Sequence, residues 1–138
     1  MNDLWNELWD RLESALTKAG RLVAAGMPWF TFRVGHSSTK TFPFDAFLSF
    51  SPQHAPGEEV LVVSIACQRT PSGVVCTSDI ARGNGYMLID GPSTSIDPTH
   101  ESSSEVARKW LLDVEQFLGD GVDLIVAELR TKCDEDHD

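Results

Sequence analysis

The spacing of apolar residues changes twice along this chain, and that change limits the fold more than any other feature. Leu4, Trp5, Leu8, Trp9, Leu12, Leu16, Ala19 and Val23 recur at steps of three and four, with Glu7, Asp10, Arg11, Glu13 and Lys18 between them. This is the period of an amphipathic helix. Asn2 or Asp3 is placed to cap its start, and Gly26 with Met27 and Pro28 stops it. Trp5 and Trp9 lie one turn apart, so they are expected to cover a neighbouring layer as a pair.

Beyond Pro28 the period becomes two. Phe30, Phe32 and Val34 alternate with Thr31 and Arg33, and Phe42, Phe44, Ala46, Leu48 and Phe50 alternate with Asp45 and Ser49. Two strands follow, joined by the polar stretch Gly35 to Thr41, and Ser51 to Glu59, with Pro52, Pro56 and Gly57, reads as a surface loop. Leu61, Val63 and Ile65 interleave with Val60, Val62 and Ala66, so both faces of a third strand are apolar and it belongs mid-sheet. Thr70-Pro71-Ser72-Gly73 is a turn with its proline at the second position. Val74 to Ile80 returns as strand four, and Arg82-Gly83-Asn84-Gly85 turns the chain into strand five, Tyr86 to Ile89. Reading Pro71 and Ser72 as the central turn residues places Cys67 opposite Cys76.

After Asp90-Gly91-Pro92 a polar crossing rich in Ser, Thr and Pro leads to Ser102, with Glu105 three residues on, a capping-box pattern. Val106, Trp110, Val114, Phe117, Leu118, Val122, Ile125 and Leu129 then keep helical phase straight through Gly119-Asp120-Gly121. One kinked helix, or two collinear helices with Asp120 capping the second, satisfies that phase. The predicted fold class is α+β: an N-terminal helix, a five-stranded antiparallel meander and this C-terminal helical region, with the helices packed on one sheet face. Residues 1–133 form a single domain and 134–138 an acidic tail. Two helices must shield a broad sheet, and any part they leave uncovered, especially near the aromatic strands at Trp29 to Phe50, is a candidate binding surface.

Hydrophobic residues make up 41% of the chain and charged residues 23%, a composition that folds rather than stays disordered. Eleven basic against twenty-one acidic residues give a formal charge of -10. Arg11, Lys18 and Arg21 are dispersed over one helix, and Arg108, Lys109, Arg130 and Lys132 are interleaved with acids. Without a basic patch a nucleic-acid partner is not expected. A basic protein partner is compatible with the charge, as is solubility alone. Met1 to Asp10 holds three acids and no basic leader, and no apolar run reaches membrane-spanning length. No membrane association is expected. Three cysteines in no zinc-type spacing suit a reducing compartment, and a cytoplasmic location follows as the expectation.

No arrangement of residues dictates catalysis. His36, His54, His100 and His137 are unpaired at any ligand spacing, so neither a metal nor another cofactor is implied. The serines at Ser102 to Ser104 fit helix capping, and no Gly-x-Ser-x-Gly elbow is present. Gly83-Asn84-Gly85 precedes a strand, whereas a phosphate loop precedes a helix. Cys67 and Cys76 could form a redox pair, but read better as small buried hydrophobes. Asp79 and Asp90 could oppose each other across strands four and five. Trp29, out of phase with Phe30, Phe32 and Val34, and Phe47, out of phase with Phe44 and Leu48, are the aromatics expected to be exposed. Trp29, Phe47, Asp45, Asp79 and Asp90 are therefore the candidate partner-binding residues.

A small acidic α+β chain with helices flanking a meander resembles toxin-neutralising immunity proteins and secretion-type chaperones in architecture and composition. The resemblance implies a non-enzymatic module that holds a protein partner, here a basic one. A small-molecule binding or sensory domain, with a pocket between sheet and helices lined by Trp, Phe and Met, is the alternative. An enzyme using Cys76 or an acidic pair is a third reading. A homodimer is compatible with a partly uncovered sheet.

Overall fold

The structure, a computed structural model, describes residues 2–36 and 44–137. In chain order the elements are α1 (Asn2–Gly26), β1 (Phe30–His36), β2 (Phe44–Pro52), β3 (Leu61–Thr70), β4 (Gly73–Arg82), β5 (Met87–Asp90), β6 (Thr94–Ile96) and α2 (Ser103–His137). The strands form one antiparallel sheet in meander order β1-β2-β3-β4-β5, and β6 also pairs with β4. The fold is α+β, as the periodicities imply. Phe42 and most of the expected loop between the first two strands lie outside the described residues.

β6 falls within the stretch read from sequence as a polar crossing, and is a correction to it. Asp79 and Ile80 of β4 pair with Asp90 and Ile89 of β5, while Val74 to Cys76 of the same strand pair with Ile96 to Thr94 of β6. β5 and β6 are thus two pieces of a fifth strand interrupted at Gly91 to Ser93. Pro92 has no N–H for the ladder, which is why the strand breaks there. Its carbonyl is held instead by two donors, Ser78 Oγ at 2.7 Å and the buried Trp110 Nε1 at 3.1 Å. Three short polar residues before a single buried Ile96 carry no alternation long enough to read as a strand.

Five antiparallel runs separate the two helices, so α1 and α2 lie parallel. Glu7 meets Arg108 at 3.1 Å, Arg11 pairs with Glu115, and Gly26 lies against Val126. Both helices cover the same sheet face. From α1, Leu8, Leu12, Leu16 and Val23, and from α2, Leu111, Val114, Leu118 and Ile125, are buried against Leu48, Phe50, Leu61, Val63, Ile65 and Ile80. Each such side chain contributes about 1.5–3 kcal/mol by leaving water. Trp5 and Trp9 are buried as a pair.

α2 is one continuous helix through Gly119 and Gly121, and Asp120 starts no second one. Each glycine costs about 1 kcal/mol of helix propensity, which the flanking buried Leu118 and Ile125 offset. Gly121 is buried facing Ile80, where an added Cβ would come within 3.1 Å of Cδ1, while Gly119 faces open space. The stretch expected as a tail from Asp134 continues the helix to His137, there being no Gly or Pro after Gly121 to end it. At the helix start the Ser102 carbonyl accepts from the Val106 N–H, but the Ser102 hydroxyl meets His100 Nδ1 at 2.7 Å. Among the described residues no helix is long and apolar enough to cross a membrane.

Candidate functional site

Alternation along the strands decides which residues reach the uncovered face. β3 buries Leu61, Val63, Ile65 and Cys67 beneath the helices and leaves Val62, Ser64 and Ala66 half-buried on the other side. The register lines up three rows across that open face: Arg33, Ser49, Val62 and Ala81; then Gly35, Phe47, Ser64, Asp79 and Asp90; then Asp45, Ala66 and Thr77. Most of these side chains are small, so the few large ones stand out in relief.

Phe47 is the largest of them. It is half-buried rather than fully exposed, for two local reasons. Its ring lies over the β1 backbone at Gly35, where an added Cβ would sit 2.3 Å from Cζ. The Arg33 guanidinium carbon is 5.1 Å from the ring centroid, a cation–π arrangement contributing about 0.5–1 kcal/mol at an exposed site. Arg33, Asp45, Phe47, Val62, Ser64 and Ala66 line a shallow open groove of about 550 Å³, and Glu59 closes one side of it.

The far end of the Phe47 row is acidic. Asp79 and Asp90 are register partners, as the turn position implies. The Gly91 N–H donates to the Ser78 carbonyl at 2.8 Å. Alternation then makes Asp79 and Asp90 a non-hydrogen-bonded pair, the kind whose side chains stand closest. Burial, and then the Asp90 charge, hold the Asp79 carboxyl above the usual aspartate range. Among the described residues neither carboxylate has a cationic partner. Asp45 is exposed one row away, on the same face.

The structure therefore brings Phe47, Asp79 and Asp90 into one row and Asp45 beside it, but leaves Trp29 apart. Trp29 lies in the turn entering β1 with its side chain 63% exposed. Its backbone is fixed: its carbonyl accepts from the Gln53 N–H at 2.9 Å, and the Gln53 side chain donates to the Pro28 carbonyl at 2.5 Å. Sequence reasoning passed over Arg33 and Gly35. Their signal was parity, since both alternate onto the same face as Phe47 once the hairpin register is known.

Cys67 and Cys76 face each other across β3 and β4, both buried and both free thiols. The hydrogen bond to Cys76, and then burial, push the Cys67 thiol far above the ordinary range, so the nucleophilic thiolate is suppressed. Cys133 is half-buried on α2. Among the described residues no group of three or more His, Cys, Asp or Glu side chains is placed to hold a metal ion. The layer between sheet and helices is filled by fully buried Leu, Ile and Phe side chains, and the open-face groove has both apolar and charged walls, as does a recess between the helices at Arg11, Lys18, Leu22, Glu115, Leu118 and Val122. No protein-family model, no curated protein and no solved structure matches this chain.

Proposed function

We propose that this chain is a non-catalytic binding module that holds a basic protein partner on the open face of its sheet. One observation carries the reading: a groove with an apolar floor at Phe47, Val62 and Ala66 runs beside the carboxylates of Asp45, Glu59, Asp79 and Asp90, with Arg33 as the cation of its rim. Apolar floor and acidic rim together suit a partner surface of apolar residues framed by lysine or arginine. The formal charge of -10 steers such a partner towards the molecule. Neutralising a basic toxin, as an immunity protein does, or escorting a basic cargo, as a chaperone does, would both use this surface. A cytoplasmic setting suits either task and the free thiols.

Affinity capture from the source organism's lysate, with the wild-type chain and a Phe47→Glu variant side by side, tests the reading. A basic protein retained by the wild type, released at high salt and lost with Phe47→Glu is the expected result. Equal recovery on both baits, or no specific recovery, would remove the open face from consideration.

A further inference from the structure

The edges of the sheet differ in how they are protected. β1 forms one edge and carries the exposed Arg33, a charge of the kind that discourages strand addition. β5 forms part of the other. Among the described residues no strand pairs with its outer side. Around it Tyr86, Met87 and Ile89 are 61%, 47% and 43% exposed, and its charged residue is the acid Asp90. A mostly apolar, unpaired edge with a single charge is a template for another strand.

The ladder says which backbone groups are available. Gly91 bonds inward to Ser78, so Ile89 also pairs inward with Ile80, and the Asp90 N–H and C=O point away from β4. A strand added here would exchange its hydrogen bonds with Asp90. The added residue opposite Asp90 would share its face of the sheet, beside both Asp90 and Asp79. The added residues on either side would point to the other face, next to the exposed Ile89.

We propose that the free edge of β5 accepts an extended segment of the bound partner as an added strand, with a lysine or arginine opposite Asp90 and apolar residues flanking it. This rests on the partner-holding reading above and specifies the chemistry of the partner. Charge complementarity selects the occupant: a basic side chain would relieve the repulsion between two adjacent carboxylates that have no cationic partner among the described residues. The Asp79 carboxyl is raised by burial first and by the Asp90 charge second, so a facing cation acts on the second of these. A second copy of this chain would bring the same acids to the same edge under a charge of -10 on each, which disfavours self-pairing.

An NMR titration with a short capped peptide alternating valine and lysine tests this, together with a counterpart N-methylated at alternate amides. Expected are shifts and amide protection at Met87 to Asp90 with the plain peptide, and none with the N-methylated one, which keeps the charge but loses the backbone donors. Asp90→Asn, which relieves repulsion and so retains the fold, should weaken binding by roughly tenfold. Equal binding of the two peptides, a silent β5, or peptide-independent association through β5 would overturn the proposal. Shifts confined to Arg33, Phe47 and Val62 would overturn the edge while leaving the open-face reading intact. Pairing at β5 alongside an unaffected Phe47→Glu capture would do the reverse.

Discussion

Phe47 and Gly35 are cross-strand partners, and the ring of the first lies over the backbone of the second. A side chain at position 35 would occupy the space of the ring. Gly35→Ala should therefore destabilise the fold by about 1–3 kcal/mol, the usual cost of overpacking, as read by urea unfolding. Repeating the substitution in a Phe47→Ala background should recover most of that loss. An undiminished cost there would mean that Gly35 is required by its backbone rather than by the ring above it.

The facing carboxylates of Asp79 and Asp90 should make stability depend on pH in an unusual direction. Asp79 titrates above its unfolded value of 3.8, so its ionised form is disfavoured in the folded state. Asp79→Asn should be more stable than the wild type at neutral pH by about 0.2–1 kcal/mol, the scale of a cross-strand pair. The gain should vanish as the pH falls below 3.8, where both states of the wild type carry the proton. Thermal melts of the two proteins across that range measure the difference, and a gain that persists in acid would point to a packing effect instead.

The three thiols should separate by reactivity. Cys133 is half-buried on a helix surface, whereas Cys67 and Cys76 are buried and the Cys67 thiol is held protonated. Alkylation of the native protein at mild alkaline pH should modify Cys133, with Cys67 and Cys76 following only as denaturant unfolds the sheet. Mass mapping of the alkylated peptides reads this directly. Early modification of Cys76 would revive a chemical role for the pair.

The Pro92 carbonyl, shared by Ser78 Oγ and Trp110 Nε1, predicts non-additive substitutions. Ser78→Ala alone leaves the carbonyl one donor and should cost about 0.5–1.5 kcal/mol. Joined to Trp110→Phe, it should cost more than the two single changes added together, because the oxygen then loses both donors at about 1–3 kcal/mol. Denaturant midpoints of the two single variants and the double variant complete the cycle.

The regular elements were legible because periodicity follows directly from burial on one face. Leu8, Leu12 and Leu16 mark the helix, and Leu61, Val63 and Ile65 the buried side of a strand, before any contact is known. The Thr70 to Gly73 turn carried the Cys67–Cys76 register with it, and the observed pairs agree. β6 escaped because it depends on a partner strand and on Ser78 and Trp110, which are distant in sequence. At the candidate site, the phase of Phe47 placed it on the open face, but its partial burial came from Gly35 and Arg33 on the adjacent strand. Asp79 and Asp90 could be paired in advance because a short turn joins their strands. Trp29 was legible as exposed, yet its separation from the acidic row is set by three-dimensional register alone.

The parallel helices have a consequence for how the chain is made. α1 is synthesised before the sheet and α2 after it, yet each lies along the other and both roof the same sheet face. At ordinary translation speeds, on the order of ten seconds separate their synthesis. Throughout that interval Leu8, Leu12 and Leu16 have no partner helix, and the inner side of β3 and β4 lacks half its cover. The inner sheet face is therefore covered in full only once α2 has been made.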